Sequence, residues 1–192
     1  MRWIAPRIAG AFCVTTAVLI LAWPAAAQND LRDLQFSAVR DGEFIRVAAS
    51  VDLTVDSGVA WNVLTDYDHY AGFISGMSES KVVDRRMEGV VIEQKGEVGV
   101  LFFRQAVHTR MLVSEVPPSR VVSRGIEGSF KDLAGRYELQ PALGGVRLTY
   151  EGSFIPDFFL PPLFGLALVR NALKTNFSEM ALDIVRRSGQ QK

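Results

Sequence analysis

The chain predicts an α+β fold: a curved antiparallel sheet of about seven strands gripping one long C-terminal helix, with one or two short helices after the first long strand. Three observations predict it. Across residues 43–55, and again through most of 80–154, apolar residues recur at every second position. Gly- and Pro-containing pairs such as Glu88-Gly89, Pro117-Pro118 and Gly144-Gly145 punctuate those segments. After Pro162 the apolar spacing changes to threes and fours and stays so to Arg187. Alternation with one wet face belongs to antiparallel sheets, whereas a long three-four stripe belongs to a helix with one buried side.

Before the fold comes a different segment. Arg2 and Arg7 precede the apolar run 8–23, which is followed by Pro24 and Ala25-Ala26-Ala27. That order is the order of a secretory signal peptide, with cleavage expected after Ala27 and a mature chain beginning at Gln28. The run is 16 residues long, short of the roughly 20 that cross a bilayer core. The expected location is periplasmic or secreted. The expected organisation is a signal peptide over 1–27, one domain over 28–187 and a polar tail over 188–192.

In the domain, 35–39 is expected as a short partner of the long strand 43–55, joined by the tight turn Arg40-Asp41-Gly42. The long strand turns Ile45, Val47, Ala49, Val51, Leu53 and Val55 to one face. Asp56 or Ser57 then caps a helix to about Tyr67, with Val59, Ala60, Val63 and Leu64 on one side. A loop or second short helix runs on to Met77. Strands are expected over 80–86, 90–98, 101–116, 120–128, 133–140 and 146–154. In the last, Val146, Leu148, Tyr150, Gly152 and Phe154 oppose Arg147, Thr149, Glu151 and Ser153. The apolar loop 158–162 leads into the long helix. Its buried stripe is expected to hold Leu163, Leu166, Val169, Leu173, Phe177, Met180 and Ile184, with Lys174, Glu179, Asp183 and Arg186 opposite.

Composition narrows the function classes. Of 21 basic residues, the signal segment holds Arg2 and Arg7, leaving 19 against 21 acids, a net charge of −2. With the two signs interspersed, no basic face is available for nucleic acid. Cys13 is the only cysteine and lies in the apolar run with no cleavage-type small residues before it, so the mature chain has no disulfide, thiol nucleophile or cysteine ligand. With two separated histidines as well, neither a metal nor a cofactor is expected.

The stretch Val59-Ala60-Trp61-Asn62-Val63-Leu64-Thr65-Asp66-Tyr67, followed by Tyr70, Phe73 and Ile74, resembles the first helix of the START-like polyketide cyclase and dehydrase (SRPBCC) superfamily. Ser119-Arg120-Val121-Val122, the block 130–139 ending Gly135-Arg136-Tyr137-Glu138-Leu139, and Arg147-Leu148-Thr149-Tyr150 with Pro156-Asp157-Phe158 resemble its coenzyme Q-binding branch. The resemblance spans residues 43–187. It implies a helix-grip fold with a hydrophobic cavity between sheet and terminal helix, and functions from lipid or quinone carriage to aromatic cyclisation. Fold does not choose among them.

Strand parity supplies a lining for such a cavity. In 101–116, Phe103, Gln105, Val107, Thr109, Met111 and Val113 alternate with Arg104, Ala106, His108 and Arg110, so the first set faces the helix. Gln94 joins it from the strand before. Buried amides and hydroxyls pair with protein, water or ligand because leaving them unpaired is costly. Gln94, Gln105 and Thr109 are therefore expected to orient the polar head of a mostly hydrophobic ligand. Its body would lie against Val47, Val51, Phe103, Tyr150, Phe154, Leu173 and Phe177. The alternative is that the apolar groups pack on one another and the amides bond to backbone. His69, Tyr70, Phe73, Phe158 and Phe159 are expected at the mouth. Part of 158–168 is expected on the surface, suited to a membrane contact or a gate, unless Phe73, Ile74 and the first helix cover it.

No catalytic residue is assigned. His108 falls on the polar face of its strand, and no nucleophile elbow, phosphate loop or dinucleotide fingerprint is present. The leading expectation is an exported carrier of a lipid, isoprenoid quinone or similar hydrophobic compound. One rival is a cyclase or dehydratase using His69, Asp66, Tyr67 or Tyr70, favoured by His69 or Tyr70 pointing into a closed pocket with a shifted pKa. Another is a docking module whose cavity has collapsed.

Overall fold

The computed structural model describes residues 31, 33–100 and 103–190. The expected signal segment lies outside the described residues. Among the described residues, eight strands and two α-helices follow one another: β1 (Gln35–Asp41), β2 (Phe44–Leu53), α1 (Ser57–Leu64), β3 (Met77–Arg86), β4 (Gly89–Val100), β5 (Phe103–Val116), β6 (Arg120–Gly128), β7 (Phe130–Ala142), β8 (Gly145–Pro156) and α2 (Gly165–Gln190). All strands join in one antiparallel sheet in the order β1-β2-β8-β7-β6-β5-β4-β3. Because β2 pairs with β8 while β3 forms the far edge, α1 and a 3₁₀ turn (Tyr67–Gly72) carry the chain across the sheet.

Local chemistry explains most boundaries. The first hairpin turns in two residues, Asp41 pairing with Phe44 around Gly42 at φ 61°, a conformation glycine adopts without strain. Asp56 is the helix cap, its carboxylate accepting the Gly58 N–H at 2.7 Å. Helix α1 ends at Leu64 rather than near Tyr67. Thr65 there donates its hydroxyl to the Trp61 carbonyl at 3.0 Å and Asp66 bonds His69, local side-chain bonds that compete with helix propagation. Strand β4 runs through the expected Val98-Gly99 turn to Val100, which pairs with Phe103. Strand β7 begins at Phe130, three residues early, and pairs there with Pro156 across an irregularity.

The long helix departs from expectation at both ends. Leu163, placed on its buried stripe by spacing, lies before the helix and is 98% exposed. Pro161 and Pro162 precede it, and the helix starts only where the Gly165 N–H reaches the Pro161 carbonyl at 2.7 Å. The expected polar tail from Ser188 is instead helical through Gln190. Asp183, expected on the wet side, is buried and accepts hydrogen bonds from Arg186 and, at 2.6 Å, from Arg187. Arg187 also reaches Asp66 at 2.6 Å and lies over the Phe73 ring.

The core lies where α2 crosses the inner face of β2 and β8. Ile45, Leu53, Leu148, Phe177 and Ile184 are fully buried there, each worth about 1.5–3 kcal/mol of transfer from water. The outer face of β3–β6 carries interleaved charges. Glu79 sits between Lys81 and Lys95, and Arg110 between Glu93 and Glu127. Strand β3 breaks register twice, between Met77 and Glu79 and between Val82 and Asp84.

Candidate functional site

Between α2 and the inner faces of β4–β8 lies a cavity of about 540 Å³. Its sheet wall includes Ile92, Met111, Val121, Leu133 and Phe154, and its helix wall Leu168, Leu173, Phe177 and Met180. The 74–77 segment and residues 96–99 of β4 border it. The volume falls within the usual range for small-molecule sites.

Two glycines shape the back wall. Gly135 and Gly152 pair across β7 and β8, and Tyr150 lies along its own strand over them. A Cβ on Gly152 would come within 2.5 Å of the Tyr150 Oη, and one on Gly135 within 3.1 Å of that oxygen and 2.9 Å of the Ser123 Oγ. The Tyr150 and Ser123 hydroxyls thus converge on the bare Cα of Gly135. Tyr137 packs against Tyr150, with ring centroids 4.7 Å apart, and parallel to Phe177 at 6.5 Å.

The polar groups in this wall are uncharged. Gln94 donates to the Ser80 Oγ at 3.2 Å, and Ser123 to the Gly135 carbonyl at 3.3 Å. The hydroxyls of Thr109, Tyr137 and Tyr150 have no hydrogen-bond partner among the described residues. Burial pushes the Tyr150 phenol up to about 12 and Tyr137 well above its ordinary value. Both therefore stay protonated and able to donate across the neutral range. Lys95 and Glu97, the charged residues at the border, are ion-paired with Glu79 at 2.8 Å and Arg104 at 2.7 Å.

The structure brings together Gln94, Thr109, Tyr150, Phe154, Leu173 and Phe177 of the expected lining. Val47 and Val51 point inward as parity requires, but pack in the core and do not line the cavity. Gln105 also departs from expectation: near the start of β5 its amide donates to the Ala106 carbonyl at 2.8 Å, and it does not line the cavity. The side chain of Phe103 lies outside the described residues.

Of the expected mouth, Tyr70 and Phe158 line the cavity. The Tyr70 hydroxyl, however, donates to the Leu64 carbonyl at 2.6 Å, and burial holds its pKa well above the ordinary value. His69 is exposed and bonded to Asp66, Phe73 packs between Tyr70 and Arg187, and Phe159 is 69% exposed; none of the three lines the cavity. Tyr67 donates to Glu115 at 2.8 Å, and burial followed by that carboxylate pushes its pKa up. His108 sits on the outer face, 3.7 Å from Glu93, with its Nε2 buried and unbonded rather than solvated.

Sequence reasoning missed Ser123, Tyr137 and Asn176. Ser123 shares parity with Val121, and Asn176 stands three residues after Leu173 on the helix, so both were within reach of the same pattern.

A cavity enclosed by an antiparallel sheet and a C-terminal helix, apolar with a few uncharged hydrogen-bonding groups, defines a helix-grip ligand-binding protein. The chain belongs to the polyketide cyclase / dehydrase and lipid transport family, whose model matches residues 53–181. Three solved structures share the fold. The Zhui aromatase/cyclase from Streptomyces sp. R1128 has a TM-score of 0.61 and 12% identity over 77% of this chain and 95% of that one. The STAR-related lipid transfer protein fragment from Xanthomonas axonopodis has 0.60 and 11% over 78% and 98%. A START superfamily protein from Mycobacterium smegmatis has 0.60 and 12% over 77% and 99%. A search of curated protein sequences finds no significant match.

Proposed function

We propose that the protein is an exported, non-covalent binding and carrier protein for a hydrophobic small molecule, a lipid, an isoprenoid quinone or a similar compound. The observation that carries this reading is the make-up of the cavity wall. It offers a large apolar surface and hydroxyls with unused hydrogen-bonding capacity, at Thr109, Tyr137 and Tyr150, beside Gln94 and Ser123. An apolar body with one or two neutral oxygens satisfies such a wall, because each hydroxyl that faces the cavity without a protein partner gains one when the ligand enters. Proton-transfer chemistry finds less support: His69 stands outside the cavity, and the Tyr70 hydroxyl is committed to a backbone carbonyl. Export rests on the charge-apolar-small order of residues 1–27.

The test is native mass spectrometry of protein recovered from the periplasm after expression of the full chain, followed by organic extraction. The expected result is a chain starting at Gln28 with a stoichiometric hydrophobic compound, lost on replacing Phe154 with Asp. An empty protein that also binds nothing in a lipid and quinone panel overturns the carrier reading. Turnover of an aromatic polyketide-like substrate would replace it with the cyclase reading.

A further inference from the structure

We infer that the surface formed by the β8–α2 connection and the first turns of α2 docks on an anionic lipid bilayer beside the cavity. Phe159 and Leu163 are 69% and 98% exposed and stand within five residues of one another, with exposed Phe164 next to them. Isolated exposed apolar side chains are ordinary; three large ones in one short segment form a patch that water disfavours.

The chemistry around the patch selects its occupant. Arg170 and Lys174 follow on the first turns of α2, four residues apart and therefore on one stripe, both exposed. Neither has an ion-pair partner among the described residues, whereas Arg104, Arg136 and Arg147 on the sheet are each held by a carboxylate. Asp157, the acid nearest in sequence to the patch, lies beside Lys131 at 3.9 Å. Apolar side chains edged by unpaired cations match the acyl-headgroup boundary of a membrane carrying negative lipids.

Position gives the contact a use. Phe158, adjacent to Phe159, lines the cavity, as do Leu168, Asn171 and Ala172 on the helix that carries Arg170. A bilayer seated on this surface lies against the cavity wall, so a hydrophobic molecule reaches the cavity by a short path. Docking goes beyond the carrier reading and stands or falls separately from it.

The experiment is flotation with vesicles of phosphatidylcholine alone and of phosphatidylcholine with phosphatidylglycerol. Wild type is expected to float with the mixed vesicles and to be released by salt. The double variant F159S/L163S is expected to bind them at least about tenfold more weakly. R170E/K174E is expected to lose on the order of fivefold per charge, and with it the preference for phosphatidylglycerol. F159S/L163S is also expected to keep its circular dichroism spectrum and any co-purified ligand, because neither side chain lines the cavity. Vesicle binding that is absent, or unchanged in both variants, overturns the docking surface. So does a wild-type dimer that L163S dissolves, which would assign the patch to a second copy of the chain. A wild type that carries and binds no hydrophobic compound yet floats with the mixed vesicles would remove the carrier reading alone and leave the docking surface standing.

Discussion

Along α2, the turns from Phe177 to Arg187 and the turns from Gly165 to Thr175 meet the rest of the molecule differently. The later turns bury Phe177, Met180, Ala181 and Ile184 and are tied down by polar bonds as well. Asp183 and Arg187 hold the segment after α1, and Glu179 accepts the Ser75 N–H at 2.6 Å. The earlier turns bury Leu168 and Val169 but face the cavity, and they leave Arg170 and Lys174 in water. One helix thus has an anchored half, which reaches the cavity through Phe177 and Met180, and an earlier half that roofs most of it. Stability and ligand retention should separate along it.

The largest effect expected on the anchored half is from Ile184→Ala. The side chain is fully buried, and its truncation should lower stability by about 3 kcal/mol in urea unfolding while the folded fraction still binds ligand. Leu173→Ala, on the roofing half, should cost about 1 kcal/mol and release ligand about tenfold more readily. If Ile184→Ala empties the cavity and Leu173→Ala does not, the division between the halves is wrong.

Gly152→Ala sharpens the comparison from the sheet side. The new methyl would meet the Tyr150 Oη at 2.5 Å, so that ring must swing into the cavity. A loss of about 1–3 kcal/mol is expected, and bound ligand should fall with it in native mass spectra. Tyr150→Phe keeps the shape and removes one unpartnered hydroxyl. Stability should change by less than about 0.5 kcal/mol, whereas affinity for an oxygen-bearing ligand should fall about tenfold. Equal binding by the wild type and Tyr150→Phe would remove the hydroxyl from the site.

The smallest effect is a pH dependence of the anchored end. Burial raises the Asp66 carboxyl, but hydrogen bonds from His69 and Arg187 outweigh it and hold its pKa below the ordinary 3.8. Its contribution is therefore complete above that value and is lost as pH falls through the lower folded value. Asp66→Asn should flatten the acid limb of the urea midpoint against pH, by less than about 1 kcal/mol because the group is partly solvated. An unchanged acid limb would show that another carboxylate sets it.

Period-two alternation located the sheet because a strand's side chains can only go up or down. The residues from Val146 to Phe154 accordingly face as their parity required. Parity could not tell cavity from core. Val51 and Phe154 share the inner face, yet one meets packed side chains and the other the cavity, depending on where the curved sheet parts from α2. Leu163 misled because three-four spacing extends two residues ahead of Gly165, where the helix starts. Asp183 misled because a charge on a helix is read as wet, and its partner Arg187 lies on the same short stretch while Asp66 lies far off in sequence. The Gly135–Gly152 pair carried no signal, since its importance lies in the side chain that folds over it.

The sheet is open, and an open sheet has two free edges that can recruit strands from other molecules. Here β3 breaks register twice and carries Lys81, Asp84, Arg85 and Arg86 along that edge. The β1 edge is only seven residues long and ends in Arg40 and Asp41. Irregular, charged or short, neither edge offers a regular apolar template for fibril growth. The exposed pair Phe159 and Leu163 lies on neither edge but beyond the last strand, in the β8–α2 connection.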